Sequence, residues 1–144
     1  MAWNEACCLL ASDARRLEVF HMRCLRSLLG GAMGPSNAAV LERCRMPSVD
    51  LQLRRSRLRW LGHIGRMDFA RVPKMLLFAR LEGPRPPGRP PKPWSQLMAG
   101  ELAHVASVSP YWPAGVPWTE WQDVCKRRRA WRRILKAMSE VGPT

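Results

Sequence analysis

Acidic residues are scarce in this chain, with 11 aspartates and glutamates against 24 lysines and arginines, and the net charge is +13. None of the acids lies between Asp50 and Asp68, a stretch that is rich in arginine. The aspartates are too far apart in sequence to predict a metal-binding or catalytic pair of carboxylates. Since there is also no phosphate-cradling glycine motif and no Ser/His/Asp order, we expect no enzymatic activity.

Long apolar runs, a leader and paired cysteines are missing as well. No window approaches the roughly 18 uninterrupted apolar residues of a membrane span, and the N-terminus lacks the basic and apolar parts of a signal peptide. We therefore expect an intracellular protein, nuclear or cytoplasmic, whose five cysteines are thiols. His21 and Cys24 form one H-x2-C half-site without a second half, so we expect no zinc and no other cofactor.

Arginine is the residue present in excess, because only four of the basic residues are lysines. Arginine binds phosphate through paired hydrogen bonds and stacks on bases better than lysine does, although a GC-rich gene would also favour it. The positive field itself favours phosphate-rich partners, with nucleic acid as the first candidate and an anionic membrane surface as the second.

Capping and stop signals predict a mainly α-helical fold. Ser12 or Asp13 opens a first helix that stops at Gly30 and Gly31. Its buried stripe is predicted from apolar residues at helical spacing: Leu17, Phe20, Cys24 and Leu28. Four further helices are predicted: a short one capped by Ser36 or Asn37 and ended by Pro47, one opened by Ser48, one from Ser95, and one from Thr119 to about Met138.

A proline-rich segment divides the chain. Residues 82–94, EGPRPPGRPPKPW, hold six prolines and two glycines, which excludes a helix and a central strand. We predict a small helical bundle in two lobes, 1–81 and 95–144, joined by an extended Pro/Arg-rich linker. Residues 2–11 are compatible with one short N-terminal strand or with a leader into the first helix, and residues 71–81 stay unassigned.

Basic and apolar side chains segregate on the helix predicted for residues 51–67, at about 100° per residue. A narrow apolar arc collects Leu53, Trp60, Ile64 and Met67, with Leu61 beside it. A separate arc, about a third of a turn away, collects Gln52, Arg55, Arg59 and Arg66, with His63 at the boundary. We expect the basic arc to contact phosphates, and Trp60 to be a core residue rather than a platform for stacking bases.

The last predicted helix repeats this division. Its apolar stripe is Trp121, Val124, Trp131, Leu135 and Met138. Its basic side holds Lys126, Arg129, Arg133 and Lys136. The run KRRRAWRR, residues 126–133, is typical of a nuclear localisation signal and of a phosphate-binding face, and both interpretations can hold together.

Four blocks of the sequence resemble the segment that follows the polymerase core of non-LTR (LINE-type) retrotransposon reverse transcriptases. In chain order they are DARRLEVFHMRCLRSLLG, SNAAVLERCRMPSVDLQLRRSRLRWLGHIGRM, RVPKMLLFARLEGPRPPGRPPKPW and WTEWQDVCKRRRAWRRIL, from about Asp13 to Leu135. The most specific parts are RRSRLRWLGHIGRM, RVPKMLLF and GRPPKPW. The family's aromatic-led A-D-D catalytic motif and its endonuclease domain are absent.

The resemblance implies a thumb-like and linker region that helps to hold template RNA and primer DNA. By position, the family's basic-aromatic block covers Arg55, Arg57, Arg59, Trp60, His63 and Arg66. Its GRP-containing loop covers Arg89 and Lys92. We therefore expect a non-catalytic, retrotransposon-derived fragment that binds RNA or DNA phosphates.

Two alternatives remain open. The linker spaces Arg85, Arg89 and Lys92 stiffly, which suits a phosphate backbone, but PRPPGRPPKP also suits a Pro-rich-binding domain as partner. The chain would then be a protein-interaction module. The second alternative is a retroelement relic without a function, whose apolar stripes are exposed because the polymerase core is missing.

Overall fold

A computed structural model of the chain describes residues 11–31, 36–78 and 94–138. These residues form seven α-helices and no strand: α1 Ala11–Leu28, α2 Asn37–Cys44, α3 Val49–Gly65, α4 Val72–Phe78, α5 Trp94–Val108, α6 Trp121–Lys126 and α7 Arg128–Ala137. The mainly α-helical prediction is confirmed. The alternative N-terminal strand and nearly all of the predicted linker, residues 82–93, lie outside the described residues. Within the described ranges, no helix combines the length and the apolar character that crossing a membrane requires.

Two of the predicted caps, Ser36 and Ser48, form as expected. The hydroxyl of Ser36 accepts from the N–H of Ala39 at 3.3 Å, and that of Ser48 accepts from the N–H of Leu51 at 3.3 Å. Each serine thereby satisfies one of the backbone donors that a helix leaves unpaired in its first turn. The first helix ends where Gly30 takes a positive φ of 86°, a conformation that glycine adopts without strain.

Thr119 does not cap the last helix: it lies in a 3₁₀ helix, Trp118–Glu120, and α6 follows Glu120 without a side-chain cap. Ser12 and Asp13 lie within α1, and Ser95 lies within α5.

The buried face predicted for α1 is wrong. Its four members are exposed, including Phe20 at 66% and Leu28 at 81%. Met22 and Leu25 are buried instead, against Val40 of α2. A second set of residues on α1, which begins at Glu18, has the same helical spacing and forms the face that is buried. The carboxylate of Glu18 accepts from the N–H of Val49 at 2.9 Å. That hydrogen bond joins the second face of α1 to the start of α3.

Helix α3 contributes to the main core. Its Leu58 and Leu61 pack with Met98, Leu102 and Val105 of α5 and with the buried side chains of α6 and α7. Residues from both predicted lobes therefore share one core through α3. Helix α4, in the segment left unassigned, lies beside the end of α3, where the ammonium of Lys74 donates to the carbonyls of Gly65 and Met67 at 3.0 and 2.8 Å.

The predicted last helix is broken into two. Arg127 has φ −79° and ψ 83°, which is not helical, and it separates α6 from α7. On one straight helix the apolar stripes of the two parts would diverge by roughly 80°. The break re-aims the second part, so that Trp121 and Cys125 on α6 and Trp131 on α7 are all buried.

Two glycines of α3 allow side chains of α6 and α7 to pack directly against its backbone. A Cβ built on Gly62 would overlap the indole of Trp131, and one on Gly65 would overlap the ring of Trp121 and Sγ of Cys125. The indole N–H of Trp131 also donates to the carbonyl of Leu58 at 3.2 Å. We call this contact the glycine seat, defined by Gly62, Gly65 and the side chains that fill the space above them.

We predict that Gly62→Ala lowers the free energy of unfolding by about 2 to 3 kcal/mol, because the added methyl group forces the Trp131 ring out of place. The matched control is Gly100→Ala on α5, where nothing lies within 4 Å of the added carbon. There alanine should be neutral or should stabilise by up to about 1 kcal/mol, because it favours a helix over glycine. Chemical denaturation of both variants makes the measurement, and equal effects would contradict the glycine seat.

We also predict opposite behaviour of the two faces of α1. Leu25→Ala should lower the free energy of unfolding by about 2 kcal/mol or more, because it opens a cavity. Phe20→Ala should change it by less than about 0.5 kcal/mol, because that ring is exposed. Denaturant titration compares them, and the reverse order would show that α1 packs through its predicted stripe.

Candidate nucleic-acid interface

A groove of about 510 Å³ lies between α3 and α7. From α3 and its C-cap it is lined by Arg59, Trp60, His63 and Arg66, and from α7 by Arg128, Trp131, Arg132 and Leu135. None of the eight lining residues is acidic, and four are arginines. The groove therefore offers guanidinium groups from two helices to one ligand.

The glycine seat produces this groove. On α3, Arg59, His63 and Arg66 follow one another at helical spacing on the face beside Gly62. On α7, Arg128 and Arg132 flank Trp131, which occupies the space above Gly62. The close approach of the two helices places both arginine faces on one cleft. Four residues of the predicted site therefore lie together with two that were not predicted. The four are Arg59, Trp60, His63 and Arg66, and the two are Arg128 and Arg132.

Trp60 lies on the groove and not in the core. Its ring is half-buried, and its centroid is 5.3 Å from that of the exposed His63, with an angle of 34° between the ring planes. In the described part of the chain, Trp60 belongs to neither cluster of buried apolar side chains. The expectation of a core tryptophan is therefore wrong, and the aromatic pair forms part of the groove wall.

Arg66 joins the groove to the end of α6. Its Nη1 donates to the carbonyl of Cys125 at 3.0 Å, so one nitrogen of the guanidinium is used for structure while the residue also lines the groove. The Cys125 thiol is buried under Gly65, and burial raises its pKa in spite of the nearby positive charge of Arg66. A neutral, buried thiol is a poor nucleophile.

Arg57, which the resemblance assigned to the nucleic-acid site, is not available to phosphate. Its side chain is buried, and its Nη1 contacts Oε1 of Glu101 on α5 at 3.1 Å. Arg54 approaches the other oxygen of Glu101 at 3.5 Å. Burial raises the pKa of Glu101 above its ordinary value, against the opposing attraction of Arg54 and Arg57. We therefore exclude Arg57 from the interface and assign it to the packing of α3 on α5.

The remaining predicted residues are dispersed. Lys126 contacts Asp123 at 2.6 Å, and this hydrogen bond raises the pKa of the ammonium group. Arg133 and Lys136 line a smaller groove of about 380 Å³ with Tyr111 and Ala137. Arg55 is half-buried on α3 and Arg129 is exposed on α7. Arg89 and Lys92 lie outside the described residues.

Arg128 and Arg132 were missed because the break at Arg127 was not predicted. When the helix is taken to begin at Arg128, its residues at helical spacing form one face: Arg128, Trp131, Arg132 and Leu135. That spacing is present in the sequence. Among residues 11–31, 36–78 and 94–138, no group of three or more His, Cys, Asp or Glu side chains lies close enough to hold a metal ion.

Comparisons with known proteins add no assignment. No protein-family model matches the chain, and no curated protein and no solved structure matches it either.

We predict a pH-dependent defect when Arg57 is replaced by methionine. A carboxyl with a raised pKa in the folded state contributes stability that is complete below its unfolded pKa and is lost as the pH rises through the folded pKa. Arg57→Met removes an attraction that holds the pKa of Glu101 down. The free energy of unfolding at pH 7 should therefore fall by about 3 kcal/mol, and this deficit should shrink as the pH is lowered toward 4.5, the ordinary value for glutamate.

The double variant Arg57→Met/Glu101→Gln is the matched control. It has no carboxyl at this position, so it should be more stable than Arg57→Met at pH 7 and equal to it near pH 4.5. Denaturant titrations at several pH values make the comparison. A deficit that is the same at every pH would show that Arg57 does not act through the Glu101 carboxylate.

Proposed function

We propose that this chain binds RNA or DNA without catalysis, and that the groove between α3 and α7 supplies its main phosphate contacts. The observation that carries the proposal is the convergence of Arg59, Arg66, Arg128 and Arg132 on one cleft that no acidic residue lines. Arginine is the side chain best suited to phosphate, because its planar guanidinium donates two parallel hydrogen bonds.

Charge distribution supports the proposal. Three acidic side chains, one each on α3, α5 and α6, are paired with basic partners outside the groove: Asp50 and Glu101 with Arg54, and Asp123 with Lys126. Guanidinium groups gathered in one cleft repel one another, and a bound polyanion relieves that repulsion. With a net charge of +13 the whole molecule also attracts a polyanion at long range.

The chemistry of the buried titratable groups supports binding rather than catalysis. Glu101 is held between Arg54 and Arg57 away from the groove, and the Cys125 thiol is buried with a raised pKa. Neither group is placed to exchange a proton or attack a ligand in the cleft.

We propose in addition that the chain derives from the post-polymerase segment of a LINE-type retrotransposon reverse transcriptase. The block RRSRLRWLGHIGRM, which is most specific to the resemblance, contains the α3 wall of the groove and both glycines of the seat. Exposed apolar side chains support this origin too: Leu17 and Phe20 on α1 and Val72 and Leu76 on α4 are exposed, as expected of helices that a polymerase core would cover.

The test of the proposed function is the salt dependence of binding. If roughly six phosphates are contacted, a plot of log Kd against log salt for the native chain should have a slope of magnitude about 5. Replacing Arg59, Arg128 and Arg132 by glutamine removes three groove contacts and should reduce that magnitude by about 3.

The matched control removes the same charge elsewhere, by replacing the exposed Arg15, Arg23 and Arg43 with glutamine. These residues lie on α1 and α2, so the control variant should keep the slope of the native chain. Equal losses in both variants would show that the binding is diffuse and not centred on the groove. A slope near zero for the native chain would contradict nucleic-acid binding altogether.

A further inference from the structure

Trp60 differs from the three tryptophans that are buried in the core of the described residues. Trp112, Trp121 and Trp131 are buried, and the indole N–H groups of Trp112 and Trp131 donate to the carbonyls of Val116 at 2.7 Å and Leu58 at 3.2 Å. Trp60 is half-buried, lines the groove and lies outside both core clusters of the described chain. Packing of the core therefore does not account for its position.

The surroundings of Trp60 fit one nucleotide unit. The groove volume of about 510 Å³ falls in the range of cavities that take small organic molecules. Trp60 and the adjacent His63 supply aromatic surface for a base, and the exposed Arg59 lines the same groove. Aromatic side chains in a basic groove are the combination by which proteins bind unpaired nucleotides, since every base has a π-face that can stack.

The opposite wall of the groove fits the phosphates on either side of such a base. Arg128 and Arg132 are one helical turn apart on α7, about 6 Å along its axis. Arg128 is the first residue of α7, and no side chain caps that end of the helix. The backbone N–H groups of the first turn thus add to the positive potential beside the groove.

We infer that the groove binds single-stranded nucleic acid, with one unpaired base stacked on Trp60 and His63 and the neighbouring phosphates on Arg128 and Arg132. The inference rests on the proposed function and narrows it from nucleic acid in general to an unpaired strand. A duplex keeps its bases stacked on one another, so it can reach the arginines through its phosphates but leaves the face of Trp60 unused.

The test compares two short strands with the same number of phosphates, oligodeoxythymidylate and the corresponding fully abasic strand, at one salt concentration. The native chain should bind the strand with bases about tenfold or more tightly than the abasic strand, because only the former can stack. Equal affinity for the two strands would overturn the inference, and this arm needs no variant.

Trp60→Leu should lower the affinity for oligodeoxythymidylate most of the way toward that for the abasic strand, because only His63 is then left for stacking, and should leave the abasic affinity unchanged. The matched control is Trp118→Leu, which replaces an exposed tryptophan outside the groove and should keep the native ratio. A native ratio that survives Trp60→Leu would overturn the inference. If the strands bind equally but the salt slope stays steep, phosphate binding stands and base stacking fails, whereas absence of binding to both strands rejects the proposed function as well.

Discussion

The structure depends on the contact between α3 and the tryptophans that pack over its two glycines. Trp131 occupies the space above Gly62, and Trp121 occupies the space above Gly65. Helices α6 and α7 therefore approach the backbone of α3 more closely than they could if either glycine carried a side chain. The indole of Trp131 fixes this approach by its hydrogen bond to Leu58. Because Arg59, His63 and the C-cap Arg66 lie in the same stretch of α3 as the two glycines, the packing contact also determines where the positive charge of α7 is placed.

Helix α3 uses arginine in two opposite ways within three residues. Arg57 points into the core and meets Glu101, while Arg59 is exposed on the groove. The distinction comes from helical geometry, since residues two apart lie about 160° from each other around the axis. Burying Arg57 is tolerable only because α5 provides a carboxylate, and the raised pKa of Glu101 shows that burial still costs that carboxylate more than its partners return.

Local signals predicted the end of α1 and the starts of α2 and α3. Ser36, Ser48 and the glycines after α1 define helix ends because their effects act within a few residues, and the basic face of α3 follows from spacing alone. Features that depend on residues far apart in the sequence were not predicted. The spacing in α1 supports two apolar faces, and Glu18 selects one of them through Val49, 31 residues away. The partner of Arg57 lies 44 residues away, and the break at Arg127 serves contacts with α3 that no local pattern records.

The glycine seat brings α3 and α7 together at the proposed binding groove. The most direct measurement is photo-crosslinking of the chain to a single strand that carries 5-bromouracil, with the crosslinked peptides identified by mass spectrometry. We expect crosslinks in both walls of the groove, at Trp60 or His63 on α3 and at Arg128 or Arg132 on α7. Crosslinks confined to α1 and α2, with none on either wall, would contradict binding in the groove.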